Sequence, residues 1–216
     1  MRRYYLLLLS VFLLTACDQD SADAIATTDT IKMETSAQAK GNVTLIKAVT
    51  EITDAYKQHP LKNNFTQLTQ KIGVLDSISN QNQLFLSIRP ANYVLLTLTD
   101  ALKFTANEQY AQEYDSLAVS SKVRNYFSQL FKDEVNVQLI SDNVNSDDAL
   151  TVQEKELLFF ILDCYENFGN GNGNGNGSGT GWDSSWGKKM IVAATLGFGQ
   201  SPANAVFNVS LLIVAY

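Results

Sequence analysis

The sequence is poor in histidine, proline and positive charge, and each shortage narrows the possible functions. The one histidine, His59, stands beside Pro60 in a polar turn, where a solvated side chain is expected rather than a catalytic one. A net charge of −6 makes nucleic acid and anionic lipid poor partners. Only two of the three prolines fall between residues 42 and 168, and no period-2 alternation persists there. Both observations favour helices over strands.

The N-terminus contains a signal for export. Arg2 and Arg3 form a positive start, and residues 4–14 are an apolar run too short for a bilayer span, which needs roughly 20 such residues. The run ends in Leu14-Thr15-Ala16-Cys17, which resembles the lipobox of bacterial lipoproteins. The resemblance implies that residues 1–16 are a signal peptide, that Cys17 carries covalent lipid such as palmitate, and that this lipid holds the protein on the cell membrane or outer membrane. The alternative is an ordinary secretory signal in which Cys17 is incidental.

Cleavage after residue 16 changes the charge and leaves the two cysteines with separate roles. The mature chain loses Arg2 and Arg3 and no acid, so its net charge moves from −6 to −8. With Cys17 acylated, Cys164 is the only free thiol and no intramolecular disulfide forms. Cys164 lies in an apolar run, so a small buried hydrophobe is expected rather than a reactive thiol. One thiol and one imidazole do not supply a zinc site of nitrogen and sulfur ligands, and no other cofactor is expected.

Composition divides the mature chain into four parts. Residues 17–41 are rich in Asp, Ser, Thr and Ala and predict a lipidated flexible tether. Apolar residues recur at helical spacing in residues 42–168, which predicts an irregular all-α bundle. Residues 169–181 place glycine at every second position and predict a Gly/Asn-rich linker. Residues 182–216 form an apolar C-terminal segment.

Five amphipathic helices are predicted in the bundle. The first ends near His59, because the residue before Pro60 avoids the α region. The third opens at Pro90, since proline suits a first helical turn. Their predicted core faces are Leu45, Val49, Ile52 and Tyr56; Phe65, Leu68, Ile72, Leu75 and Ile78; Val94, Leu95, Leu98, Ala101 and Leu102; Leu117, Val123, Phe127, Leu130 and Phe131; and Leu157, Leu158, Ile161, Leu162, Tyr165 and Phe168.

The C-terminal segment is predicted to be a helical hairpin rather than β-structure. Ser201 before Pro202 is typical of an N-cap followed by a first-turn proline. A strand is the alternative, because Phe207, Val209 and Leu211 alternate with other residues.

The hairpin is expected to pack on the bundle, because Asn204 and Asn208 would be costly in hydrocarbon. The alternative is insertion into a membrane or contact with a partner through Trp182, Trp186, Phe207 and Leu211.

The stretch from Asn143 to Glu154 partly resembles an EF-hand loop. Its calcium candidates are Asn143, Asn145, Asp147 and Glu154, but Asp148 stands where that loop needs glycine. The competing interpretation is a capping box, in which Thr151 and Glu154 start the fifth helix. We favour the capping box, and no metal is expected.

These observations predict a lipid-anchored cell-envelope protein with a non-enzymatic binding or scaffold role. Its expected partners are the membrane, through the lipid, and an envelope protein, with no nucleic acid. The alternatives are a membrane-active protein whose C-terminal segment inserts into a bilayer and, third, an envelope hydrolase. No catalytic residue is assigned, because no nucleophile or acid–base pair is recognisable in the sequence.

Overall fold

The computed structural model describes residues 44–132, 134–169 and 184–216. Cys17, the 17–41 tether, most of the 169–181 linker and Trp182 lie outside the described residues, and what was predicted for them stays a prediction. The described residues belong to one compact unit that spans Ser36–Tyr216. All of their regular elements are helices, without a strand, so the predicted all-α bundle is confirmed.

Ten α-helices follow one another along the described residues. Helix α1 occupies residues 44–58, and a short 3-10 helix, Lys62–Asn64, comes after it. The remaining helices are α2 (Leu68–Ser79), α3 (Gln83–Ile88), α4 (Leu98–Thr105), α5 (Tyr110–Ser116), α6 (Ser121–Gln129), α7 (Val137–Ser146), α8 (Val152–Phe168), α9 (Ser184–Phe198) and α10 (Pro202–Ala215).

Helix α10 lies at the centre of the bundle. Every residue from Ala203 to Leu212 is buried, so the helix is enclosed around its whole circumference. It packs against α2, α3, α4 and α9, and α9 packs in turn against α4, α5 and α8. A helix that is apolar on all sides needs such an enclosure, because no face of it is suited to water. Helices α9 and α10 thus form the predicted helical hairpin, and they share one core with α2, α3, α4, α5 and α8.

A glycine lets the two hairpin helices approach each other closely. A Cβ atom added to Gly197 would lie 2.3 Å from the Cα atom of Ala205, well inside van der Waals contact. The hairpin turns directly afterwards, where the N–H of Ser201 donates to the carbonyl of Gly197 at 2.9 Å. The hydroxyl of Ser201 then accepts from the N–H of Asn204, which confirms Ser201 as the N-cap and Pro202 as the first-turn proline.

Several predicted helix boundaries are confirmed, and others are wrong. The described residues between 44 and 168 form eight α-helices where five were predicted, and Phe65 and Leu117 lie before the helices α2 and α6 to which they were assigned. Helix α1 ends just before His59, and α8 begins with the complete capping box of Thr151 and Glu154. The helix predicted to open at Pro90 begins instead at Leu98, where the Thr97 side chain accepts from the N–H of Asp100. Residues 93–97 belong to no helix or strand, and Val94, Leu95 and Leu98 are exposed, so these three residues do not join the core face predicted for them.

Candidate functional site

A polar groove lies between α6 and α7. Both helices pack on α8, and the space left between them has a volume of about 490 Å³. Buried apolar residues fix each helix in place, with Val123 and Phe127 on α6 and Ile140 and Val144 on α7. The groove is lined by Ser121, Lys122, Asn125, Tyr126, Gln129, Asn143, Ser146 and Asp147. All eight side chains carry a polar group, and the accessible lining of the groove is more polar than apolar.

The two charges of the groove neutralise each other. Lys122 Nζ lies 2.7 Å from Asp147 Oδ1 and 2.9 Å from its Oδ2, and the Tyr126 hydroxyl donates to Oδ2 at 3.3 Å. The hydrogen bond from Lys122, with a second from the N–H of Ala149, lowers the pKa of the Asp147 carboxyl. The same bond raises the pKa of the Lys122 ammonium. The pair therefore stays ionised and links α6 to the C-terminal end of α7.

Three side-chain amides of the groove have no protein partner. The side chains of Asn125, Gln129 and Asn143 make no hydrogen bond within the described part of the chain. Each carries one carbonyl acceptor and an NH₂ group with two donors. They lie on both walls of the groove, and they are available to a bound molecule.

The structure places the four calcium candidates on different elements. Asn143 and Asn145 belong to α7, and Asp147 is the residue that follows this helix. The carboxylate of Asp147 faces Lys122, while Glu154 accepts from the N–H and the hydroxyl of Thr151 in the capping box. Residues 143–146 thus form part of a helix, whereas the same positions of an EF-hand belong to its calcium-binding loop. The described residues contain no group of three or more His, Cys, Asp or Glu side chains that could hold a metal ion.

A second surface feature is a group of exposed apolar side chains between α3 and the first turn of α4. Val94 is 66% exposed, and Leu95 and Leu98 are also exposed; we call these three residues the apolar surface. The backbone N–H groups of Val94, Leu95 and Leu96 donate to no atom of the described residues. The carbonyl of Val94 accepts from the buried amide of Asn204 at 2.9 Å, which fixes the segment against α10. This surface could not be predicted from the sequence, because its residues fit the apolar face of the helix that was predicted there.

The membrane or partner contacts predicted in the hairpin are mostly interior. Phe207 and Leu211 are fully buried in α10. Trp186 is half-buried, donates from Nε1 to the carbonyl of Phe168 at 3.0 Å, and packs edge-on against Tyr216. Contact of these residues with a bilayer or partner would require the hairpin to leave the bundle. Within residues 44–132, 134–169 and 184–216, no helix combines the length and the apolar character needed to cross a membrane.

Lys189 is a buried cation that sequence reasoning missed. It is 3% exposed, and its Nζ donates to Asn107 Oδ1 at 2.7 Å and to the Tyr216 hydroxyl. The ammonium also lies 4.9 Å from the ring centre of Tyr110 and 4.3 Å from that of Tyr216. Such ring faces attract a cation. The one available signal was helical spacing, which places Lys189 on the same side of α9 as Trp186 and Val192.

The thiol of Cys164 and the imidazole of His59 form no reactive pair within the described residues. Cys164 is fully buried on α8, as predicted, and burial raises the pKa of its thiol, so the nucleophilic thiolate is disfavoured. His59 Nδ1 accepts from the N–H of Leu61 at 3.2 Å, and its ring packs against Phe65.

No protein-family model, no curated protein and no solved structure matches the chain.

Proposed function

We propose that the protein is a lipid-anchored component of the bacterial cell envelope that binds another envelope protein and has no catalytic role. The anchor is Cys17, within the lipobox-like Leu14-Thr15-Ala16-Cys17. The observation that carries the binding role is the apolar surface, which presents exposed valine and leucine side chains beside unpaired backbone groups. Contiguous apolar residues on a protein surface are typical of interaction sites.

The backbone of residues 94–96 favours a partner segment that supplies hydrogen-bond acceptors. Its N–H groups are unpaired within the described residues, and a partner segment can accept from those N–H groups that face it. Asn204 holds the carbonyl of Val94, so the segment is fixed in position before a partner binds, and that carbonyl is not free to accept from the partner.

The anchor is tested by fractionating cells that produce the Cys17→Ser variant. We expect the wild type in the membrane fraction with acyl chains on the N-terminal cysteine by mass spectrometry, and the variant in the soluble fraction. A wild-type Cys17 that carries no lipid would refute the anchor.

Partner binding is tested on detergent-solubilised membranes with the full chain. Val94→Lys is expected to abolish recovery of an envelope protein that the wild type retains. Leu139→Lys is the matched control, since Leu139 is a similarly exposed apolar residue on α7, 56% against 66%. In the purified complex, the amides of residues 94–96 should become protected from hydrogen exchange. Equal recovery with both variants, or unprotected amides in the complex, would contradict the proposal.

One observation favours a second candidate, insertion of the hairpin into a bilayer. Helix α10 is buried around its whole circumference and is apolar apart from Asn204, Asn208 and Ser210, and mainly apolar helices are found both in protein cores and in membranes. Its 14 residues span about 21 Å at 1.5 Å per residue, less than the ~30 Å hydrocarbon core. Dye release from anionic or neutral liposomes by the full-length protein would support this candidate, and intact liposomes would reject it.

A further inference from the structure

We infer that the α6–α7 groove is a binding site for a short, uncharged oligosaccharide. The inference concerns a different surface from the one proposed for protein binding, so either of them stands or fails without the other. It rests on the chemistry of the groove lining, on its charge and on the placement of free amides on both of its walls.

The lining excludes ligands that bind through apolar surface. Small-molecule sites of about 300–1,000 Å³ usually owe their affinity to hydrophobic and aromatic walls. This groove has a volume within that range, but its accessible lining is more polar than apolar, and its one aromatic residue, Tyr126, is largely buried. A ligand bound here must therefore be hydrophilic.

The charge of the lining disfavours ions. Lys122 and Asp147 are the only ionised groups of the groove, and they bind each other through two contacts of 2.7 Å and 2.9 Å. An anion would have to displace Asp147 from Lys122, and a cation would have to do the reverse. An uncharged ligand leaves the pair intact.

The free amides match hydroxyl groups. A sugar hydroxyl both donates and accepts, and a side-chain amide offers a donor and an acceptor side by side. Asn125 and Gln129 are one helical turn apart on α6, and Asn143 stands across the groove on α7. Neighbouring hydroxyls of one ligand can thus be bound from both walls at once. Hydroxyl-rich, uncharged and compact molecules of this kind are short oligosaccharides.

The experiment is titration calorimetry of the full-length protein in a detergent without a sugar headgroup. The probes are maltotriose, cellotriose and N,N′,N″-triacetylchitotriose, which are all uncharged, with triglycine as the peptide comparison. We expect one of the trisaccharides to bind with a Kd that changes less than twofold between about 0.05 and about 0.5 M salt, because no net charge is involved. The double variant Gln129→Ala, Asn143→Ala should weaken that binding about tenfold.

The control variant is Gln58→Ala, which removes an exposed amide from α1, outside the groove, and should leave the Kd unchanged. Both variants should keep the wild-type melting temperature, since these amides are not part of the core. The inference is overturned if no trisaccharide binds at millimolar concentration, if binding survives the double variant, or if triglycine binds in place of the sugars.

Discussion

The α9–α10 hairpin and the α6–α7 groove contain the same kinds of polar residue in opposite situations. In the hairpin, Lys189, Asn204 and Asn208 are buried and donate to protein acceptors. In the groove, Asn125 and Asn143 have no protein partner for their side chains within the described residues, and Lys122 is paired at the surface. A buried polar group without a partner is costly, whereas an exposed one is solvated at little cost. The bonded donors of the hairpin therefore stabilise the fold, although Asn208 Oδ1 and Ser210 Oγ are buried without a partner among the described residues. The amides of the groove are free to bind.

The largest expected effect is that of Gly197→Ala. The new methyl group would meet the backbone of Ala205 at 2.3 Å, so the two hairpin helices must separate. We expect a loss of about 3 kcal/mol or more in the free energy of unfolding, measured by urea denaturation. The matched control is Gly73→Ala on α2, where nothing lies within 4 Å. It should gain about 0.5–1 kcal/mol through helix propensity. Equal stability of the two variants would contradict the close packing of the hairpin.

A pair of lysine substitutions compares the two regions directly. Lys189→Met keeps the length of the side chain but leaves Asn107 Oδ1 without its donor and removes the cation from two tyrosine rings. We expect it to cost about 2 kcal/mol. Lys122→Met breaks only the ion pair at the groove and should leave the thermal midpoint unchanged within error. Thermal denaturation measures the stability of both variants. A larger loss for Lys122→Met than for Lys189→Met would contradict the buried position of Lys189 and the exposed position of Lys122.

The stability of the protein should depend on pH through a carboxyl group of α8, the helix that packs against both α7 and α9. Burial, with a smaller effect of Glu166, raises the pKa of the Asp163 carboxyl from 3.8 to about 6. The folded state therefore holds this proton more tightly than the unfolded state. The stabilisation is present below the unfolded pKa and is lost as the pH rises through about 6.

Asp163→Asn should accordingly stabilise the protein near neutral pH, with an advantage that shrinks as the pH falls toward 4. Water still reaches part of this carboxyl, so the gain is limited to about 1–2 kcal/mol. Asp148→Asn, at an exposed carboxylate that follows α7, is the control and should leave the pH profile unchanged. Urea denaturation at several pH values measures both, and an Asp163→Asn variant that is less stable at neutral pH would contradict the burial of the carboxyl.

The smallest expected effect is at the N-terminus of α8, beside the groove. Thr151→Ala removes the oxygen that accepts from the N–H of Glu154 and should cost about 1 kcal/mol in thermal or urea unfolding. Thr151→Ser keeps that oxygen and should retain most of the stability. If the alanine and serine variants unfold alike, the cap contributes nothing.

The features that were predicted correctly from the sequence depend on residues that are close together in the chain. The end of α1 before Pro60, the capping box of Thr151 and Glu154, and the cap at Ser201 are all decided within a few positions of the chain. Pro90 shows the limit of such reasoning. Proline is compatible with a first helical turn but does not require one, and Thr97 supplied the cap that α4 uses.

The features missed from the sequence depend on distant parts of the chain. Lys189 is buried because Asn107 and Tyr110, near the start of α5, and Tyr216, at the end of α10, come together around it. The groove exists because α6 and α7 both rest on α8 without filling the space between them. The amides of Asn125 and Asn143 are ordinary surface residues in the sequence, and only the packing of their helices makes them face one space.

Hydrogen exchange of the full-length protein, with and without liposomes, tests the central claim that the hairpin is the structural core and that binding takes place at the surface. The account predicts that the amides of residues 203–212 exchange slowest, at the rate of global unfolding, and that liposomes do not change this. The amides of residues 94–96 should exchange fast in the protein without its partner. Loss of protection in α10 when liposomes are added would contradict the account and would favour a hairpin that leaves the bundle for the bilayer.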